Sequence, residues 1–143
     1  MRFWDASAVV PLLVEEATTS TILRGLRNDE AMVVWWGTEV ECMSAIARRR
    51  RSNSLTQGLE RDAIDRLGNL SRSWKEVDPA SAVRETAIRL LRTHDLRAAD
   101  ALQLAAAFAA AEGRPSTLAF VSLDARLNEA AVREGFRLAG LDT

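Results

Sequence analysis

Several residue types are scarce in this chain, and each scarcity excludes something. Cys42 is the only cysteine among 143 residues, so no internal disulfide forms and no CxxC zinc or thioredoxin-like motif exists. A reducing compartment suits such a chain, and the cytoplasm is the expected location. His94 is the only histidine, which removes a histidine-based metal site and a two-histidine acid–base mechanism. Its position before Asp95, near the end of an expected helix, points to capping. Lys75 is the only lysine, so arginine carries nearly all of the positive charge. Arginine suits forked contacts with phosphate or carboxylate, although a GC-rich genome produces the same bias. The formal charge of −1 leaves neither a polybasic arm nor an acidic tail. No window approaches about 20 uninterrupted apolar residues, so no membrane span is expected. Asp5 interrupts the N-terminal apolar run, which makes a poor signal-peptide core. The phosphate-cradling and nucleophile-elbow motifs GxxxxGK[ST], GxGxxG and GxSxG are all missing. A phosphoaspartyl phosphatase needs a second aspartate two residues after Asp5, where Ser7 stands. A receiver domain needs a lysine at the end of its last strand, and Lys75 is elsewhere.

What remains is ordinary globular material, 48% hydrophobic and 27% charged. It is long enough to bury a core without staples. Without a linker, low-complexity stretch or repeat, residues 1–143 read as one domain. Strands are expected at Met1–Trp4, Ala31–Trp36, Lys75–Val77, Leu118–Ser122 and Arg137–Leu141. Helical spacing covers Ser7–Val14, Thr19–Arg27, the stretch after Thr38 to Arg51, Ser54–Ser73, Ala98–Glu112 and Asp124–Glu134. Pro11 is placed near the first turn of its helix. Asp78-Pro79 reads as an N-cap followed by proline at the first helical position, opening a helix through Val83, Ala87, Leu90 and Leu91. Gly113 and Pro115 stop the alanine-rich helix. About five strands alternating with helices predict a mainly parallel sheet covered on both faces. Such sheets place their sites at the carboxyl ends of the strands.

Four acidic residues fall at those positions. Asp5 follows the first strand, Glu41 lies in the first turn after the second, Asp100 opens the alanine-rich helix, and Asp124 follows the fourth strand. Each has a plain alternative role. Asp5 and Asp124 suit N-caps, Thr38 with Glu41 fits a capping box, and Asp100 suits a helix dipole. Together they describe more. Crowded carboxylates repel unless a cation compensates, and hard oxygen donors suit Mg²⁺, with Mn²⁺ as a substitute. An acidic nest at a sheet rim therefore points to metal-dependent phosphodiester hydrolysis.

The DxSA start, the E-x-x-SA-x-x-R segment, the AADALQLAAA helix and the SLDARL strand end resemble the PIN-domain family, in particular the VapC toxins of type II toxin–antitoxin pairs. The resemblance runs from Met1 to about Ala131. It implies a three-layer α/β/α sandwich, Mg²⁺-dependent endoribonuclease activity on RNA, a cognate antitoxin partner and a homodimer. Carried over by position, Asp5, Glu41, Asp100 and Asp124 are the metal-binding and catalytic carboxylates. Glu39 competes with Glu41 for the second place. Glu41 is preferred because it stands three residues before Ser44-Ala45, and the two glutamates point about 200° apart on a helix. Ser7 and Ser122 match hydroxyl residues able to orient water or a carboxylate. Arg97 and Arg126, near Asp100 and Asp124, are candidates for a phosphate or an acidic neighbour.

Other features carry open alternatives. Arg48–Arg51 is either a solvated helix end or a contact for an RNA backbone or a partner. Of Trp35 and Trp36, one is expected in the core and the other near the rim, where base stacking is available. Leu12, Leu13, Ile22, Leu23 and Leu26 exceed what a core needs, and the resemblance implies that such N-terminal helices help form the antitoxin groove. The competing functions are a catalytically idle PIN-like module that binds RNA or protein, and a metal-dependent phosphatase or nuclease acting on another substrate.

Overall fold

The computed structural model describes residues 1–29 and 31–139. Five short parallel strands form one sheet: β1 (Arg2–Trp4), β2 (Met32–Trp35), β3 (Lys75–Val77), β4 (Ala119–Val121) and β5 (Arg137–Leu138). Their order is β3-β2-β1-β4-β5, so β1 is central and the chain turns outward on either side of it. All four strand pairings are parallel, with Phe3 opposite Val33 and Phe120. Residues 140 and 141 of the expected last strand lie outside the described residues. Ala139 still donates its N–H to the Phe120 carbonyl at 2.9 Å.

Among the described residues, seven α-helices cover the sheet: α1 (Ala6–Leu13), α2 (Thr19–Arg27), α3 (Thr38–Arg51), α4 (Gln57–Ser73), α5 (Ser81–Thr93), α6 (Ala98–Ala110) and α7 (Ala125–Arg133). The alternation of strand side chains divides them into two layers. Phe3, Val33, Trp35 and Phe120 point to one face, where α5, α6 and α7 pack. Trp4, Met32, Val34 and Val121 point to the other, against α1, α2, α3 and α4. The Trp4 indole N–H is buried and donates to the buried Asp29 carboxylate at 2.7 Å. No described helix is long and apolar enough to cross a membrane.

Four local expectations need correction. Pro11 is the sixth residue of α1, not part of its first turn. It has no N–H to offer the Ser7 carbonyl, and the helix ends two residues later. Asp78 is not an N-cap. Its carbonyl accepts the Ala80 N–H at 2.8 Å in a three-residue turn centred on Pro79, and Ala80 becomes the cap of α5. The fixed φ of proline suits the centre of such a turn. α4 starts at Gln57 rather than Ser54, because Thr56 caps it by accepting the Leu59 N–H at 3.1 Å. Thr38 and Glu41 form no capping box. Gly37 is the N-cap of α3, with no side-chain cap bond, and the two side chains turn to another partner.

Candidate active site

Asp5, Glu41, Asp100 and Asp124 all sit where the chain leaves the sheet or enters the next helix, on the rim at the carboxyl ends of the strands. Asp5 is the residue after β1 and the N-cap of α1. It is 3% exposed. Its Oδ2 accepts the Ser122 hydroxyl at 2.8 Å, the Ser7 hydroxyl at 2.5 Å and the Ser7 N–H at 3.3 Å. All three bonds reach one oxygen, and Oδ1 takes none from the described residues. Ser7 Oγ also accepts the Leu123 N–H at 2.9 Å, and Ser122 Oγ accepts the Asp124 N–H at 3.0 Å. The two hydroxyls thus join the start of α1 to the loop after β4 and fix the Asp5 carboxylate. Capping and rim placement coexist here, as they do at Asp124, which caps α7 through the Leu127 N–H at 3.0 Å.

Glu41 lies in the first turn of α3, half-buried, while Glu39 is exposed. Gln103, wholly buried on α6, donates its amide to the Thr38 hydroxyl at 3.1 Å and to the Glu41 carboxylate. This clamp ties a helix from one layer to a helix from the other, above the end of β2. It engages Glu41 and not Glu39, and it leaves Gln103 Oε1 buried without a partner among the described residues. Sequence reasoning missed Gln103. Its signal was present: a lone amide in an apolar helix, one turn beyond Asp100.

The carboxylates act on one another electrostatically. Burial is the main cause of the raised Asp5 pKa, opposed by the Ser7 and Ser122 hydroxyls, with the Asp124 charge adding to the rise. Burial pushes Glu41 from its ordinary 4.5 up to about 7, against the Gln103 hydrogen bond and with help from the charges of Asp5 and Asp100. Asp100 rises from 3.8 to about 6 through burial, then through Asp124 and Asp5, while Arg97 opposes the shift. Asp5, Glu41 and Asp100 are each raised in part by at least one neighbouring carboxylate. The thiol of buried Cys42, pushed up to about 12 chiefly by burial, is held protonated and inert.

Among the described residues, no three His, Cys, Asp or Glu side chains already form a metal cage. Uncompensated like charges keep apart, and Gln103 holds Glu41. The donor set itself fits a hard divalent cation, because it offers only oxygen.

Arg97 and Arg126 are exposed, and with Asp95, Asp100, Asp124 and Ala125 they line a cleft of about 450 Å³. The remaining candidates fall elsewhere. Arg49 pairs with Glu16, and Arg50 with Glu60 at 3.7 Å, so half of the arginine run is tied into the fold. Trp35 is 8% exposed and Trp36 54%, which gives one core and one rim residue. Ile22 and Leu13 are buried, whereas Leu12, Leu23 and Leu26 line an apolar groove of about 270 Å³ with Leu70, Arg66 and Asn69. His94 is the C-cap of α5, and its ring meets Glu134 at 2.6 Å.

Known proteins resemble this chain in sequence and in fold. The PIN domain model matches residues 2–133. Ribonuclease VapC45 and Ribonuclease VapC49, from two strains of Mycobacterium tuberculosis, are each 31% identical over 146 aligned positions, covering 96% of this chain and 93% of theirs. The crystal structure of FitAcB from Neisseria gonorrhoeae superposes with a TM-score of 0.68 at 14% identity, covering 99% of this chain and 98% of that one. PAE2754 from Pyrobaculum aerophilum gives 0.61 at 20% identity, covering 93% of both chains. These two share the fold, a parallel sheet between helical layers. By sequence and by architecture alike, the chain belongs to the PIN-domain family, among its VapC proteins.

Proposed function

We propose that the chain is a single PIN-like domain acting as a Mg²⁺-dependent endoribonuclease, the toxin of a toxin–antitoxin pair. The observation that carries this is the set of four carboxylates from four separate segments at one rim, three of them raised in pKa by burial and by their acidic neighbours. The name ribonuclease on its relatives supports RNA as the substrate. Asp5, Asp100 and Asp124, with Glu41 directly or through water, would hold Mg²⁺ or Mn²⁺. When bound, such a cation lowers the pKa of a water and neutralises charge developing on a phosphoryl group. The chain's own residues do the rest. Ser7 and Ser122 fix Asp5 through Oδ2 and leave Oδ1 free to act. Gln103 fixes Glu41. Arg97 and Arg126 offer cations to a phosphate beside the nest. The apolar groove of α1, α2 and α4 is the proposed antitoxin contact. The cytoplasm is the proposed site of action, and a homodimer the proposed assembly.

The test is incubation of purified protein with a panel of RNAs in Mg²⁺ and in EDTA, beside Asp5→Asn. Cleavage that needs Mg²⁺ and disappears in the variant is the expected result. Full cleavage by Asp5→Asn would overturn the assignment. Metal-independent binding without cleavage would leave an idle RNA-binding module instead.

A further inference from the structure

The acidic nest repels a polyanion, so the path of a nucleic acid strand must be set by cations beside it. Two depressions adjoin there and share a wall. One, of about 450 Å³, contains Asp100 and Asp124 together with Arg97. The other, of about 160 Å³, continues along α7 towards Arg133 and His94. Asp95 and Arg126 line both. They pair with each other at 3.5 Å while remaining 91% and 72% exposed.

We propose that Arg97 and Arg126 dock the sugar–phosphate backbone of a single-stranded RNA next to the scissile phosphate, and that Asp95 holds Arg126 until a backbone phosphate displaces it. This rests on the nuclease reading of the nest but concerns the strand beyond it. Arg97 takes part in no ion pair among the described residues, and it stands close enough to Asp100 to oppose the rise in its pKa. Arg126 is held only by an exposed pair, and such pairs are worth little. A phosphate offers it stronger, forked acceptance. Arg133, in an exposed pair with Glu129 at 2.7 Å, lines only the smaller depression, and the His94 ring is engaged by Glu134. The cations that share a depression with Asp100 and Asp124 are Arg97 and Arg126. The larger depression, of about 450 Å³, is of small-ligand size.

The test is fluorescence anisotropy of a labelled single-stranded oligoribonucleotide in Mg²⁺ over a range of salt, using the full chain carrying Asp5→Asn. Arg97→Gln and Arg126→Gln are each expected to reduce the slope of log affinity against log salt by about 0.7, the value for one lost single-strand phosphate contact. Arg126→Lys should keep the slope and lose affinity, because it keeps the charge and loses the fork. Asp95→Asn should tighten binding by up to about fivefold, the ceiling for an exposed pair. That gain should vanish when Arg126→Gln is present, because the two residues act as one unit. Unchanged slopes, no binding at all, or an Asp95→Asn effect that survives loss of Arg126 would each overturn the proposal. So would variants that alter binding of an acidic peptide but leave RNA binding as it was. If these effects hold but the unmodified chain cleaves no RNA in Mg²⁺, the nuclease reading fails and the docking surface stands.

Discussion

Glu41→Gln should make the metal-free protein more stable, and only above a definable pH. The side chain keeps its size, and its carbonyl oxygen can still accept from Gln103. What disappears is a charge that the fold resists. An acid whose folded pKa exceeds its unfolded value costs stability progressively as pH rises from the unfolded pKa to the folded one, and the full cost remains above both. For Glu41 the cost is absent below about 4.5, grows as pH rises, and is complete above about 7. At 1.36 kcal/mol per pKa unit the full rise corresponds to about 3 kcal/mol. Glu41 is only half-buried, and screening by water reduces this to about 1–2 kcal/mol. For a chain of this size that is about 3–8 °C in melting temperature. The assay is urea or thermal unfolding in EDTA, with both proteins measured below 4.5 and well above 7. A gain confined to the higher pH supports the reasoning. An equal gain at both pH values, or a loss, would refute it, because then burial and the charges of Asp5 and Asp100 do not hold the carboxylate up. Mg²⁺ should raise the melting temperature of the unmodified chain more than that of the variant. A binding site built from repelling charges is unstable until its cation arrives.

Three further outcomes are expected. Gln103→Leu strips buried Thr38 and half-buried Glu41 of their donor and should cost about 1–3 kcal/mol in urea unfolding; unchanged stability would show that the clamp carries no weight. Gly37→Ala places a Cβ 2.6 Å from Trp35 Nε1, so the indole or the start of α3 must move, at a cost of about 1–3 kcal/mol; an unaltered melt would count against that contact. Trp36→Ala removes a half-exposed ring that meets Trp35 edge-on, so folding should lose about 1 kcal/mol. RNA affinity should then fall by about 1–3 kcal/mol if a base stacks there, and retention of full affinity would remove Trp36 from the RNA path.

The layered fold was readable because the inner strands are short, near-continuous apolar runs and the helices repeat apolar residues near every 3.6 positions. Phe3 and Trp4, adjacent in sequence, define the two faces. The four carboxylates were readable because each stands at a strand or helix boundary, which the topology carries to one rim. Other features depend on distance relations that no local pattern encodes. Gln103 matters only because α6 packs across the sheet end from α3. The capping box at Thr38 satisfied a local rule, but Gln103 competes for both of its side chains. Asp78-Pro79 also satisfied one, and the proline closed a tighter turn instead. Asp95 carries no motif, and its pairing with Arg126 arises where the α5–α6 connection passes α7.

The Ser122–Asp5 hydrogen bond joins residues 117 positions apart. During synthesis the first carboxylate emerges early, and the second hydroxyl that fixes it emerges 117 residues later. A fragment that stops before Ser122 lacks β4's neighbour loop, the Asp124 carboxylate and one of the two hydroxyl donors to Asp5. The assembled nest thus needs β4 in place beside β1 and the loop that follows it, and until then Asp5 has only the Ser7 hydroxyl to hold it.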